Sequence, residues 1–273
     1  MAINGSICKE AHELLKQDSK IGILATTDGF GCPHLSFISS LQGYGGSQIT
    51  FGRFCEGLSK QFVEERQDAA FLALSADMRW LRGSMRYTHY EQTGEVFDAY
   101  NDKPLFRYNA YLGFNRVYFF DLISIEEIRK LPMAQILLGA VISRAEALFL
   151  SSNKKNALTH TGRTLFSEIA SLKFLCWCEN GVLSDIVPIV QAAPAGSDRI
   201  VFSAIPYGED FLHAPKGAKA AVLCLNTQMQ SVLVKGIMSK SVLSIERVYN
   251  SMPPKNMYIY PREEKPKAIR AFE

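Results

Sequence analysis

The feature that most constrains the fold of this 273-residue chain is a weak internal repeat. Segments of the first half recur in the second half in the same order, at a nearly constant offset of 151 to 153 residues. The matched pairs are QITFGR from Gln48 with RIVFSA from Arg199, AAFLALSAD from Ala69 with AAVLCLNTQ from Ala220, and WLRGSM around Gly83 with LVKGIM around Gly236. Any two antiparallel sheets share short apolar patterns, but ordered matches at one offset favour a duplicated module.

Short β-type segments separated by turn residues dominate the module. They predict strands over Ile21–Thr27, His34–Leu41, Gln48–Phe54, Ala69–Ser75, Met78–Tyr90 and Arg116–Ile125, and helices over Ile7–Gln17, Glu56–Arg66 and Glu95–Tyr108. Few helices among many strands indicate a β-barrel rather than a parallel α/β sheet. We therefore predict a mainly β fold with α insertions: a barrel over 1–125, a helical connector over 126–162, and a second barrel over 163–273 that opens with a helix at Thr164–Leu172.

Composition excludes several classes of function. Hydrophobic residues make up 47% of the chain, and the net charge of +3 comes without a long basic run, so we expect no nucleic-acid partner. The N-terminus lacks the pattern of a signal peptide, and the apolar stretch Met133–Ile142 is too short to span a bilayer. The six cysteines form no C-x-x-C pair, which is typical of reduced thiols. We expect a cytoplasmic protein with no membrane partner.

The segment FGRFCEGLSK, from Phe51 to Lys60, is the most informative one for function. A strand ends there, a turn containing Gly57 follows, and a helix begins, so unpaired N–H groups at the helix start favour an anion. Arg53, Ser59 and Lys60 would add a guanidinium, a hydroxyl and an ammonium, which together suit a phosphate. The alternative is that these three are ordinary surface polar residues around a helix start.

The order of helix, six strands and inserted helix, with R-x5-S-K after the third strand, resembles the FMN-binding split barrel of the pyridoxamine 5'-phosphate oxidase-like superfamily. The segment DGFGCPHLSFISS resembles that family's D-G-x-P-x-x-S, and Arg82-Gly83 is also typical of it. The resemblance covers residues 5–125 and, more faintly, 163–262. It implies two tandem split barrels, with FMN as cofactor and Arg53, Ser59 and Lys60 as phosphate ligands. It also places the flavin ring beside Ser36, Phe37, Ile38, Ser39, Thr50, Phe51 and Gly52.

The chain departs from that family at two places. The C-terminal Arg-x-His of the vitamin B6 oxidases is replaced by Tyr260-Pro261-Arg262-Glu263-Glu264, which argues against that activity. The second copy has Glu209 and Asp210, and no Arg or Lys, where a phosphate would lie, so we expect a degenerate site there. Because split barrels of this family pair around the flavin, we expect an internal pseudo-dimer or a homodimer, with one FMN per chain.

Other residues support only weaker hypotheses. Cys176 and Cys178 share one face of a predicted strand, but without further ligands they indicate buried core thiols rather than a metal site. His89 or His160 would be the haem ligand if the barrel bound haem, as some split barrels do. The aromatic Trp80, Tyr87 and Tyr90 would either line a substrate pocket or pack in the core.

The leading functional hypothesis is an FMN-binding flavoprotein, a flavin-dependent oxidoreductase with a small-molecule redox substrate. No motif for hydrolytic or nucleophilic catalysis is present, and no catalytic residue is predicted. The alternatives are a haem-binding or haem-degrading protein, a cofactor-free binding or regulatory module, and a protein that binds a deazaflavin.

Overall fold

A computed structural model describes residues 3–53, 57–103, 113–150, 155–211, 214–228, 230–250 and 256–261. The chain divides into two compact units, and each takes residues from two stretches of sequence. The first unit contains Met1–Thr27 and Ser36–Leu131, and the second contains Asp28–Leu35 and Pro132–Glu273.

The first sheet has nine antiparallel strands, and its main path runs β3-β2-β6-β7-β8-β5-β4. Two short strands lie off this path, where β1 pairs with β8 and β9 pairs with β7. The strands are β1 (Ile3–Asn4), β2 (Lys20–Thr27), β3 (Pro33–Phe37), β4 (Gln42–Tyr44), β5 (Gln48–Arg53), β6 (Asp68–Ser75), β7 (Arg79–Glu91), β8 (Arg116–Ile125) and β9 (Arg129–Lys130). The helices of this unit are α1 (Lys9–Lys16), α2 (Leu58–Arg66) and α3 (Glu95–Asp102).

Alternation along the strands separates two faces of this sheet. On β5, Ile49 and Phe51 face the main core, together with Tyr118 and Phe120 of β8. Helix α1 adds the buried Leu14 and its neighbours to the same core. The intervening residues of β5 and β8 face the other way and pack in a smaller cluster of Tyr100, Phe114, Val117 and Phe119. This second face is the one that bears on a ligand site.

The second unit repeats the strand order of the first. Its sheet runs β11-β10-β15-β16-β17-β14-β13, with β12 paired to β10 and β18 paired to β17. The strands are β10 (Leu172–Glu179), β11 (Val182–Leu183), β12 (Val187–Pro188), β13 (Ala193–Ala195), β14 (Arg199–Val201), β15 (Ala218–Leu225), β16 (Ser231–Ser239), β17 (Val242–Asn250) and β18 (Met257–Tyr260). The helices are α4 (Met133–Leu150), α5 (His160–Ser167) and α6 (Gly208–Phe211). The predicted mainly β fold of two tandem barrels is confirmed.

Several helix boundaries differ from the sequence prediction, and the largest differences are in α5 and α3. Helix α5 begins at His160 rather than Thr164, because the Thr159 side chain accepts a hydrogen bond from the Gly162 N–H and caps the helix. It ends at Ser167, since Leu172 already starts a strand. Helix α3 ends at Asp102, and the remainder of the predicted helix falls at least partly outside the described residues.

Helix α4 is longer than the apolar stretch recognised in the sequence. It continues past Arg144 and Glu146 to Leu150, and over its 18 residues it is long and apolar enough to cross a membrane. A single helix that meets this criterion is weak evidence for a span, because length and composition alone do not separate it from a core helix. One side of α4, including Gly139 and Ser143, is buried.

A buried lysine closes the helix that precedes the first long strand in each unit. Lys20 Nζ donates to the carbonyl of Gln17, the C-cap residue that follows α1. Lys173 Nζ donates to the carbonyl of Glu168, the C-cap residue that follows α5, at 2.7 Å, and to those of Ser171 at 3.1 Å and Val190 at 3.2 Å. Burial lowers the pKa of each lysine from 10.5 to about 8.

Stability should therefore depend on pH through Lys173. Because its pKa is lower in the folded chain, the unfolded chain binds more protons between about pH 8 and 10.5, so this lysine favours folding more as pH rises. As pH rises over that range, we expect the free energy of unfolding of the wild type to increase relative to that of Lys173→Met by up to about 3 kcal/mol. Urea titrations at several pH values measure it. The exposed Lys216→Met is the control, and a pH-independent difference for Lys173→Met would contradict the prediction.

Candidate functional site

The predicted phosphate residues flank the connection from β5 to α2. Arg53 ends β5, and its side-chain Nε donates to Asn115 Oδ1 at 2.9 Å, while the Asn115 N–H donates to the Arg53 carbonyl at 3.1 Å. Phe54, Cys55 and Glu56 lie outside the described residues. Ser59 and Lys60 stand in the first turn of α2, with Ser59 buried and Lys60 half-buried.

The start of α2 is suited to a negative charge. Gly57 occupies the cap position, makes no side-chain cap hydrogen bond, and no acidic residue stands in the first turn. The N-terminal N–H groups and the helix dipole then favour an anion at this end. This helix start is the place where the sequence predicts a phosphate.

A carboxylate one turn further along α2, that of Glu64, already has a hydrogen-bond donor and a cation beside it. Glu64 accepts a hydrogen bond from the Tyr118 hydroxyl at 2.6 Å and lies 3.4 Å from Arg116 Nη1. Burial and then the bond to Glu64 raise the pKa of Tyr118 to about 12, so the phenol stays protonated near neutral pH. Arg116 in turn lies 4.1 Å from the centre of the Tyr90 ring. Glu64 thus has the Tyr118 hydroxyl and the Arg116 guanidinium as partners.

The residues predicted beside the flavin ring divide between the two faces of the sheet. The side chains of Ile38 and Phe51 belong to the main core. Ser36 is buried, Phe37 is half-buried and Ser39 is exposed. Thr50 and Gly52 lie on the opposite face of β5 from Phe51, and we call the strip between them and the 36–40 segment the seam. A ring stacked on the seam would contact Thr50, Gly52 and the backbone of the 36–39 segment.

The seam is occupied by the chain itself. Ser40 Oγ accepts from the Gly52 N–H and donates to the Gly52 carbonyl, both at 3.1 Å. Thr50 Oγ1 lies 2.7 Å from the Tyr100 hydroxyl, which donates to the Ser40 carbonyl at 3.2 Å. The ring of Phe114 packs directly on Gly52. A flavin ring here has to displace these contacts.

Of the other candidates, Trp80 and Tyr87 pack within the first unit, and the two histidines are exposed. Trp80 is buried with Arg129 4.4 Å from its ring centre, and Tyr87 packs against Tyr118 and Phe120. His89 is exposed and stacks on Phe119 at 4.6 Å, and His160 is the exposed first residue of α5. Among the residues that the structure describes, no group of three or more His, Cys, Asp or Glu is placed to hold a metal ion.

Cys176 and Cys178 are buried thiols of β10 in the second unit, and neither is in a disulfide. Cys176 Sγ lies 3.4 Å from the Ser184 carbonyl, and burial raises the pKa of this thiol to about 12. A thiol so far from its thiolate form is a poor nucleophile and a poor metal ligand. The geometry agrees with the interpretation of core thiols.

The second unit has a different structure where the first has its α2 turn. Strand β14 is followed by a 3-10 turn at Ile205–Tyr207 and by the four-residue α6, whose first turn holds Glu209 and Asp210. Gln191 Nε2 donates to the Ser203 carbonyl at 2.6 Å, and these two residues are the repeat equivalents of Ser40 and Gly52. Two acidic groups disfavour a phosphate, in line with the expected degeneracy.

Both units carry the same antiparallel strand order, with helices inserted between the strands. The chain therefore contains one antiparallel sheet topology in duplicate. No protein-family model matches the chain, and neither does any curated protein. Solved structures do match it, over less than half of its length.

Three matches show the range. An FMN-binding protein of Syntrophomonas wolfei is 20% identical, covers 44% of this chain and 84% of its own, with a TM-score of 0.39. A candidate pyridoxamine 5'-phosphate oxidase of Lactobacillus delbrueckii is 14% identical over 46% of this chain and 98% of its own, with a TM-score of 0.38. General stress protein 26 of Bacillus anthracis is 14% identical and covers 45% of this chain and 98% of its own, with a TM-score of 0.34. Such likeness concerns fold and leaves function to the site.

Sequence reasoning missed the residues that fill the seam. Ser40 directly follows the predicted ring segment, and Tyr100 lies inside a predicted helix. Phe114 and Asn115 precede a predicted strand. The match of Ser40 with Gln191 at the repeat offset was the one available signal, because both residues bind the equivalent backbone position across the seam.

Proposed function

We propose that the first barrel binds FMN, with the phosphate at Arg53, Ser59, Lys60 and the N-terminus of α2. The observation that carries the proposal is the start of α2, which has glycine at the cap position, no acidic residue in its first turn, and a basic residue before and after the cap. Charge-assisted hydrogen bonds to a phosphate contribute about 1.5–3 kcal/mol each, which is sufficient for micromolar binding when several combine.

The reaction we propose is a flavin-dependent oxidation or reduction of a small-molecule substrate in the cytoplasm. The flavin would supply the redox chemistry, and the chain would bind it, orient it and exclude water. We propose no nucleic-acid and no membrane partner. The pairing of barrels, as an internal pseudo-dimer or a homodimer, and the stoichiometry of one FMN per chain stay predictions.

FMN titration of the purified protein tests the proposal. We expect a flavin absorption spectrum, a ratio near one FMN per chain, and a loss of affinity of about tenfold or more in Arg53→Ala and in Lys60→Ala, because about 1.4 kcal/mol corresponds to a factor of ten. The matched controls are Arg86→Ala, whose side chain pairs with Asp68 on the surface, and the exposed Lys16→Ala.

Two results would contradict the assignment. Unchanged FMN affinity in both Arg53→Ala and Lys60→Ala would remove the phosphate site. A ratio near two FMN per chain would contradict the expected degeneracy of the second barrel. A Soret band in place of the flavin maxima would favour the haem alternative.

A second candidate function is a binding or regulatory module without a cofactor. The specific observation in its favour is the occupied seam, where Ser40, Tyr100 and Phe114 fill the place of a flavin ring. Colourless protein that does not take up added FMN, in the wild type and in variants that open the seam, would favour this module.

A further inference from the structure

Three residues, Tyr100, Asn101 and Phe114, close the outer face of the first barrel, and we refer to them as the cover. The Tyr100 hydroxyl reaches across to Thr50 and to the Ser40 carbonyl. Burial raises the pKa of Tyr100, so its phenol remains a hydrogen-bond donor. Both aromatic side chains are almost fully buried, at 4% exposure each, and their rings meet edge to face at 5.7 Å.

The position of Phe114 depends on Gly52. A Cβ atom at Gly52 would lie 2.7 Å from Phe114 Cε1 and closer still to other ring atoms, so only glycine lets the ring rest on this strand. The aromatic ring lies on the backbone site that the family resemblance assigns to the isoalloxazine. The side chain is therefore an internal occupant of that site, of similar chemistry to the predicted ligand.

Side-chain hydrogen bonds hold Phe114 in place. Asn101 Oδ1 accepts from the Phe114 N–H at 2.8 Å, and Asn101 Nδ2 donates to the Phe114 carbonyl at 3.3 Å. These bonds tie Phe114 to the last turn of α3. They involve no residue of the predicted phosphate site, so the cover can be loosened without touching Arg53, Ser59 or Lys60.

The cover is connected to the predicted phosphate site through one residue. Asn115, which follows Phe114, accepts from Arg53 Nε at 2.9 Å and donates its N–H to the Arg53 carbonyl. A phosphate that recruits the Arg53 guanidinium competes with Asn115. Loss of that bond loosens the chain next to Phe114.

We propose that the cover is a displaceable occupant of the ring position, which FMN must move in order to bind. This inference rests on the proposed function. The closed form binds the ring poorly, so the observed affinity is the intrinsic affinity reduced by the fraction of open molecules. The engagement of Arg53 by phosphate biases the equilibrium toward the open form, which couples the two ends of the ligand.

In the second barrel, a longer helix covers the position equivalent to the seam. There the 18-residue helix α4 lies over the equivalent position, with Gly139 against Gln191 and Ser203. Ser143 Oγ, itself bound to the Gly139 carbonyl, accepts from the Ser203 N–H at 2.8 Å. Among the described residues, the cover of the first barrel is backed by the much shorter helix α3, of eight residues. This contrast supports displacement in the first barrel and permanent closure in the second.

The test combines FMN titration with hydrogen exchange on the full chain. Phe114→Ala removes the occupant, and Asn101→Ala leaves the ring but removes its tether. We expect each variant to bind FMN about tenfold more tightly than the wild type, because a larger fraction is open. In the wild type we expect FMN to speed exchange of amides in residues 95–102. Phe211→Ala, which removes an aromatic ring from the second unit, is the matched control and should leave FMN affinity unchanged.

The outcomes separate the two proposals. Wild-type binding of FMN with no tighter binding in either variant, and unchanged exchange over 95–102, would overturn the cover while leaving the proposed function standing. Failure of the wild type and of both variants to bind FMN would overturn the proposed function and the cover with it. Binding seen only in the variants would support the cover and show that it is closed in nearly all wild-type molecules. Because Phe114→Ala removes packing, Asn101→Ala keeps the test valid if the first variant does not fold.

Discussion

Replacement of Lys235 by alanine is expected to lower the free energy of unfolding by about 3–5 kcal/mol. In the second unit, Lys235 Nζ lies 2.9 Å from Asp28 Oδ2, and the two side chains are 1% and 2% exposed. The substitution leaves a buried carboxylate without its closest cation, since the next one, Arg247, lies 3.9 Å away and is partly exposed. The expected loss of stability comes from burying the Asp28 carboxylate without a close cation, which costs more than the loss of a single contact.

Chemical denaturation of the Lys235→Ala variant measures this loss, with the exposed Lys216→Ala as the control that should change stability by less than about 0.5 kcal/mol. A double-mutant cycle with Asp28→Asn isolates the pair. The interaction with Lys235 holds the pKa of Asp28 below its ordinary value against the effect of burial. The pair is therefore fully formed above pH 3.8 and is lost as pH falls through the folded pKa. A loss below about 1 kcal/mol in Lys235→Ala at neutral pH would contradict the prediction.

The second large effect is expected at Gly236. A Cβ atom there would collide with the Ser244 carbonyl oxygen, would lie 2.9 Å from the carbonyl carbon, and would lie 3.1 Å from the Glu246 nitrogen. These are backbone atoms of the paired strand β17, so no side-chain rotation relieves the clash. We expect Gly236→Ala to cost at least about 3 kcal/mol, or to prevent folding of the second unit.

Gly208→Ala is the matched control for Gly236→Ala. It places the same methyl group in the same unit, where no atom lies within 4 Å and φ is −55°. Thermal unfolding of both variants, followed by circular dichroism, measures the loss of stability in each. Equal melting temperatures for Gly236→Ala and the wild type would contradict the prediction, because they would mean that β16 and β17 accommodate the methyl group without loss of stability. The equivalent Gly83 in the first unit meets the Ser124 carbonyl in the same way, so Gly83→Ala should behave alike.

Much of this architecture was predictable from the chain because it depends on local pattern and on the repeat. Strand β8 was predicted with the observed limits, Arg116–Ile125, and β5 with the observed start, since alternation and turn residues determine both. The pairing of Gly83 with Gly236 came from the repeat before any contact was known. The start of α5 was missed because one threonine hydroxyl, at Thr159, determined it.

The cover could not be predicted, for a physical reason. The hydrogen bond between Tyr100 and Thr50 joins residues 50 apart, and the packing of Phe114 on Gly52 has no signature in either local sequence. The pattern around Tyr100 is that of an amphipathic helix, which does not reveal which surface it covers. The same limit applies to Lys235 and Asp28, which are 207 residues apart. Such contacts arise from tertiary packing alone.

The membership of residues 28–35 in the second unit has a consequence for how this protein can be divided. Within that unit the Phe30 carbonyl accepts from Lys219 at 2.5 Å, and the His34 ring meets Tyr249 at 4.9 Å, besides the Asp28 ion pair. A gene cut after codon 131 would give a C-terminal fragment that lacks eight residues of its own packing. Supplying the N-terminal half in trans, or grafting the 28–35 segment onto the C-terminal fragment, should restore what a simple truncation loses. During synthesis on the ribosome, this segment emerges early and stays without its partners until the last strands have been translated.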